Sequence, residues 1–200
     1  MTGTRALDDM RPPTRRRLCG LLVLLPLAAC ASAKTEWYRL TAIPGRPRAA
    51  RPMRIELRDV RLARYLDRPD IVRAAGGTRL MVEDGRRWAG PLDEMIAQVL
   101  SQDLEQRLPG STVLRERGAL AGEPGLVAGV EIDRFETDGA GQAVLSAKFT
   151  IRPAASDGAI RDGRVEAGVA PSGLGTNALV QALSEALAHL ADRMVETFPT

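Results

Sequence analysis

A strict alternation from Gln142 to Arg152, two long helical stripes and several short β-favouring runs between glycine- and proline-containing turns predict an α/β fold. The expected architecture is a single domain, with a mixed or largely antiparallel β-sheet packed against two main amphipathic helices. In the alternating segment, Ala143, Leu145, Ala147, Phe149 and Ile151 share one face; Ser146, Lys148, Thr150 and Arg152 share the other. That period of two marks a strand with one buried face. The first helical stripe is Leu92, Met95, Ile96, Val99, Leu100, Leu104 and Leu108. Pro91 suits its first turn, where a missing amide donor costs nothing, and Pro109-Gly110 stops it. The second stripe is Leu179, Leu183, Ala186, Leu187, Leu190, Met194, Val195 and Phe198.

The remaining elements follow in chain order. Trp37-Tyr38-Arg39-Leu40 is compact and β-favouring. Residues 43–52 carry three prolines and a glycine and read as a loop or linker. Met53 to Arg58 alternates apolar and charged residues, as a half-buried strand does, and the pattern breaks at Asp59-Val60 in the manner of a bulge. Tyr65 to Pro69 forms a turn into Ile71-Val72-Arg73. Gly76-Gly77 turns the chain again into a strand over Thr78–Val82, so the pair predicts a hairpin. Thr112 to Leu114 is a short strand. Leu126 to Glu136 and Gln142 to Arg152 flank Asp138-Gly139-Ala140-Gly141, a hairpin turn. Ile160 to Val169 reads as a strand interrupted at Asp162-Gly163.

Upstream lies a different kind of segment. Arg15, Arg16 and Arg17 precede an apolar run from Leu18 to Ala29, which ends in Leu27-Ala28-Ala29-Cys30. This is the layout of a secretory signal. The run is about 12 residues long and contains Pro26, against roughly 20 residues for a membrane-spanning helix. The cysteine after small residues resembles the lipobox of bacterial lipoproteins. It implies a diacylglyceryl group on the Cys30 thiol, cleavage before Cys30 and acylation of the new amino group. The chemistry accounts for the residue types: the thiol is the nucleophile, and small neighbours admit a membrane peptidase. Thr14 to Leu18 also loosely resembles a twin-arginine export signal, which leaves the export route open. The expected organisation is a signal peptide over 1–29, a lipidated N-terminus and tether over 30–36, and a domain over 37–200.

That division changes the charge argument. Of 28 basic and 25 acidic residues, five arginines and two aspartates fall in the signal, leaving 23 of each. The mature chain is formally neutral, so the +3 of the full chain gives no reason to expect nucleic acid. Cys19 leaves with the signal and Cys30 carries lipid. No cysteine then remains for a disulfide or a thiolate metal site.

Motifs for catalysis are missing from the sequence. There is no G-x-S-x-G elbow, phosphate-binding P-loop, H-E-x-x-H or dinucleotide fingerprint. The single histidine, His189, sits in the second helical stripe and reads as a surface or boundary residue. A Ser-His-Asp triad would have to recruit it from a helix face. Asp93/Glu94 and Glu83/Asp84 read as helix-start and loop charges. A hydrolase using two carboxylates distant in sequence stays open as an alternative, although nothing selects a pair. No catalytic residue, metal or cofactor is expected.

Two segments stand out from generic scaffold. Tyr65-Leu66-Asp67-Arg68-Pro69 leads into Ile71-Val72-Arg73, and Arg86-Arg87-Trp88-Ala89-Gly90-Pro91-Leu92 sets a tryptophan before a helix. Tyr65 and Trp88 either pack these loops onto the core or anchor a partner. The order and spacing of the two segments resemble the PqiC-type ABC-transport auxiliary lipoproteins. The resemblance extends upstream to Trp37-Tyr38-Arg39-Leu40, and downstream to Phe135-Glu136, Leu145 to Phe149 and Ala178-Leu179-Val180. Gly90 departs from a frequent acidic residue and Ala63 from a frequent proline.

The resemblance implies a non-catalytic lipoprotein of an ABC transport system containing an MCE (mammalian cell entry) protein, with its permease and ATPase or another integral membrane component. Such a lipoprotein would act as an outer-membrane adaptor while phospholipids or other apolar molecules move between membranes. Tyr65, Leu66, Arg68, Arg87 and Trp88 are the positions expected to meet the partner. Ala31 after the acylated cysteine favours the periplasmic face of the outer membrane over the inner membrane. A homo-oligomer is left open. The competing reading is a structural or assembly lipoprotein of another envelope machine.

Overall fold

The segment with the strictest alternation forms an inner strand of the sheet, paired on both edges. In the computed structural model, which describes residues 34–120, 122–155 and 158–199, the nine strands are β1 (Glu36–Tyr38), β2 (Arg54–Leu57), β3 (Arg61–Leu62), β4 (Asp70–Ala74), β5 (Leu80–Trp88), β6 (Thr112–Arg115), β7 (Leu126–Thr137), β8 (Ala143–Pro153) and β9 (Arg161–Val169). Two helices, α1 (Leu92–Arg107) and α2 (Thr176–Thr197), complete one α/β unit. The lipobox and signal lie outside the described residues.

Strand β7 organises the sheet. One edge pairs antiparallel with β8 over almost its whole length, and β8 pairs antiparallel with β9. The other edge is shared in succession by three short parallel strands: β2 beside Leu126–Ala128, β3 beside Glu131–Ile132, and β4 at Thr137. From there the sheet forks. Strand β6 adds to β2 at one end, while β5 and then β1 add to β4 at the other. The long ladders are antiparallel and the short pairings mostly parallel, which is the mixed sheet expected.

The alternating faces do what their pattern predicts. Ala143, Leu145, Ala147, Phe149 and Ile151 are buried beneath the helices, beside Ala128, Val130, Ile132 and Phe135 of β7. A register shift between Ile132 and Arg134 keeps Phe135 on the core face although it lies three residues after Ile132. Helix α1 buries Leu92, Ile96, Leu100 and Leu104, and α2 buries Leu179, Leu183, Leu187, Leu190 and Met194 in the same core. Asp93 and Glu94 occupy the first turn of α1, where carboxylates favour the helix dipole.

Three expectations need correction. Strand β5 does not stop at Val82. It runs through Glu83 and Asp84 to Trp88, so these acids are strand residues: Arg73 Nε donates to Glu83 at 2.7 Å, and Thr176 Oγ1 donates to it at 2.8 Å. The break at Asp59-Val60 is not a bulge but the gap between β2 and β3, which both lie along β7. Asp162-Gly163 does not interrupt β9. Gly163 lies opposite Phe149, and a Cβ there would overlap the phenyl ring, so its missing side chain makes room for the aromatic. Residues 43–52 form the loop expected, and it lies as a strap across both helices.

Gly163→Ala is therefore expected to destabilise the domain by about 1–3 kcal/mol, the usual cost of overpacking. In a Phe149→Leu background the same substitution should cost less. A double-mutant cycle by urea unfolding measures this, and simple additivity would show that the ring is not the obstacle.

Candidate functional site

The two distinctive segments meet at one corner of the sheet. Trp88 ends β5 and lies opposite Tyr38 of β1. Its amide donates to the Pro69 carbonyl at 2.7 Å, joining the tryptophan to the turn that begins at Tyr65. The indole is 3% exposed, tilted by 31° to the Phe135 ring with centroids 6.4 Å apart. Leu66 is buried beside it in the core, and its amide closes a tight turn onto Ala63 at 2.9 Å.

Tyr65 is half-buried and fixed by its hydroxyl. That group donates to Glu136 Oε2 at 2.6 Å and lies 3.1 Å from the Asp133 carbonyl oxygen. Glu136 is buried but satisfied, since its carboxylate also accepts from Arg134 Nε at 2.9 Å and from the Phe135 amide at 3.2 Å. Burial first, and then the Glu136 carboxylate, push the Tyr65 phenol well above its ordinary range. Tyr65 is thus a neutral hydrogen-bond donor that holds the turn.

The arginines of the corner face outward. Arg87 is exposed and pairs across the hairpin with Asp70 at 3.1 Å. Arg68 is exposed on the rim of a cleft of about 400 Å³, lined also by Trp37, Pro69, Trp88, Pro91 and Leu92. Trp37, 61% exposed, is the residue that sequence reasoning did not single out. Its signal was a tryptophan beside charged residues in a three-residue strand. Of the five expected contact residues, the structure brings Arg68 and Trp88 to the cleft, sets Arg87 beside it, and places Leu66 and Tyr65 beneath it.

A second cluster went unread. Arg107, at the end of α1, is 2% exposed; its guanidinium donates to Asp192 Oδ1 at 2.6 Å and to the Ile43 and Asp103 carbonyls at 3.1 Å each. A Cβ on Gly45 would overlap that guanidinium, so glycine lets the strap lie flat on it. Asp103 accepts from the Ile43 amide at 2.9 Å, while its Oδ2 is buried without a partner. The strap is fastened further by the Arg48 amide on the Arg107 carbonyl at 2.7 Å, and by the Arg48 side chain on Val195. A groove of about 980 Å³ opens between the strap and α2, where exposed His189 stands with Glu185, Asp192 and Glu196. The only signal in the sequence was an Asp–Arg pair four residues apart, which more often marks an exposed helix face.

Among the described residues, no group of three or more histidine, cysteine, aspartate or glutamate side chains is placed to hold a metal. What the corner offers is an apolar floor with guanidinium groups at its rim.

The fold is one found in solved structures. The chain resembles an uncharacterized protein of known crystal structure, at 18% identity over 82% of this chain and 98% of that one, with a TM-score of 0.69. It also resembles a Xanthomonas campestris protein of family DUF330, at 21% identity over 80% and 92% of the two chains, with a TM-score of 0.63. At these identities the likeness is one of fold. No curated protein matches the chain. The sequence supplies the narrower assignment: over residues 38–195 it matches the ABC-type transport auxiliary lipoprotein components, and the chain belongs to that family. Among the described residues, no helix is long and apolar enough to cross a membrane.

Two outcomes are expected of substitutions here. Trp88→Ala should cost about 3–5 kcal/mol of stability, as a buried aromatic does, whereas exposed Arg68→Ala should stay within about 0.5 kcal/mol of wild type. Thermal melts separate the two, and an unchanged melt for Trp88→Ala would contradict its burial.

Asp103 gives the second. Burial, with a smaller push from Asp192, raises its carboxyl from 3.8 to about 6, against the pull of the Ile43 amide and Arg107. Between those values the folded state keeps a proton that the unfolded state has released. Its stabilising contribution is therefore complete below the lower value and is lost as pH rises through the upper one, by roughly 1–3 kcal/mol. Asp103→Asn should flatten this dependence in urea unfolding at about pH 4 and about pH 7.5. An equal difference in both proteins would rule out Asp103 as its source.

Proposed function

We propose that this chain is a lipid-anchored, non-catalytic adaptor in an ABC transport system that moves phospholipids or other apolar molecules between inner and outer membranes. The observation that carries the reading is the family match across residues 38–195. The lipobox at Leu27 to Cys30 supports it, since an auxiliary subunit that acts from a membrane needs an anchor. Three acyl chains at Cys30 hold far more firmly than one, each buried methylene contributing about 0.8 kcal/mol. A permanent anchor suits a stationary adaptor and opposes a shuttle that diffuses across the periplasm. Ala31 after the acylated cysteine favours the periplasmic face of the outer membrane.

The partner in this reading is an MCE-family protein, associated with a permease and ATPase. Its docking site is the corner where Arg68 and Arg87 stand over the floor that Trp88, Leu66 and Tyr65 support. Arginine beside packed aromatics is the usual make-up of an interface hot spot, worth about 2 kcal/mol or more on truncation. Crosslinking in membranes, with identification of the captured proteins, tests it. The full-length chain should capture an MCE-family protein, and Arg68→Glu should weaken that capture without lowering the melt. Capture of secretion or polysaccharide-export components instead would overturn the reading.

The anchor has its own test. Cys30→Ser should accumulate as unprocessed precursor or leave the outer membrane. Normal maturation and lipid labelling of that variant would refute lipidation at Cys30.

A further inference from the structure

Three of the exposed large apolar side chains follow one another on β5. Strand β1 covers the outer edge of β5 only at Arg86–Trp88, so among the described residues Leu80–Gly85 forms a bare sheet edge. On that edge Leu80, Met81 and Val82 are exposed, Met81 at 53%. A fourth, Leu174, is fully exposed in the loop before α2, two residues from Thr176, which bonds to Glu83 of β5. The loop is held there because Thr176 donates to Glu83 Oε1 at 2.8 Å and accepts from Arg86 Nη1 at 2.7 Å. Natural sheets usually blunt a bare edge with charge, and an apolar one marks an interaction surface.

The direction of β1 says what covers it. Strands β1 and β5 run parallel, so the chain entering β1 comes from the side of Leu80. Lys34 already lies against Gly85. Cys30 is four residues further back, within about 14 Å of Lys34 by chain length. Met81 is likewise four residues from Gly85, about 13 Å along the strand. By chain length Cys30 can reach the apolar edge, while the Arg68 cleft lies at the other end of β5. Exposed Arg79 at the hairpin tip and Lys34 suit phosphate headgroups, while Glu36 is paired with Arg86 at 3.0 Å and Asp84 is the exposed acid nearby.

We infer that this end of the domain, Leu80–Met81–Val82 with Leu174, lies in the headgroup region of the phospholipid bilayer that holds the anchor. Apolar side chains at that depth gain burial in proportion to their area, and nearby cations gain attraction to anionic lipid. The docking corner is thereby turned away from the membrane. The inference rests on acylation of Cys30.

Apart from Cys30 the mature chain has no cysteine, so Met81→Cys, Leu174→Cys and Ile160→Cys each take a single fluorophore. Ile160 is more exposed than Met81 and stands at the start of β9, at the opposite end of the sheet. The full-length lipidated proteins are reconstituted in phosphatidylethanolamine–phosphatidylglycerol vesicles containing nitroxide-labelled phospholipid, and flotation reports anchoring. Labels at Met81 and Leu174 should lose most of their emission, and the label at Ile160 should keep it. A protein that floats with its Met81 label no more quenched than Ile160 overturns the inference and leaves the anchor standing. A Met81 label shielded from aqueous iodide yet untouched by nitroxide lipid places a protein on the edge and overturns it too. A chain that does not float defeats the anchor, and the inference with it.

Discussion

The pairing capacity of β7 is the constraint on which the domain depends. One edge is committed to β8 through eleven paired positions. The other has to be satisfied by pieces, and β2, β3 and β4 take it in turn. Because all three run parallel to β7, none can be joined to it by a tight hairpin, and the chain must travel between them. The Tyr65 turn links two of the pieces, β3 and β4, and the chain reaches β7 only after β5, α1 and β6. The corner that joins the Tyr65 and Trp88 segments exists because one long strand is completed by three short ones.

The shift of register in β7 matters for the same reason. Without it Phe135 and Glu136 would exchange faces. Phe135 would leave Trp88, and Glu136 would enter the core with no donor. With it, the aromatic pair stays inside and the carboxylate meets the Tyr65 hydroxyl. A single extra residue thus decides that the turn is fastened by a hydrogen bond and the tryptophan by packing. Those two links join the distinctive segments into one surface.

Legibility in the sequence followed the range of the forces involved. Strand β8, helix α1 and helix α2 were plain, since each is written in a local period of side chains facing one core. The reach of β5 was not, because Glu83, Asp84, Gly85, Arg86 and Arg87 look like a loop until their partners in β4, β1 and α2 are known. Gly163 looked like a break because its reason is the Phe149 ring on another strand. The strap looked like a linker because prolines and a glycine announce irregular backbone but not what holds it, and Arg107 is more than fifty residues away. At the site, the pairing of the Tyr65 and Trp88 segments was visible as spacing. The exposure of Trp37 was not, since a tryptophan near core strands is usually buried.

The three residues of β1 also have a mechanical meaning. A protein tied to a surface through its N-terminus feels every displacement of that surface at Glu36 first. Strand β1 runs parallel to β5 and is drawn from its N-terminal end, so such a pull acts along the strand. It loads the hydrogen bonds between the two strands together, in shear, and does not peel them apart one after another. Behind them the strap passes the remaining tension to Arg107 and so to both helices. In a chain held by its N-terminus, a short strand in this orientation works as a strain relief, keeping the corner at Trp88 in shape.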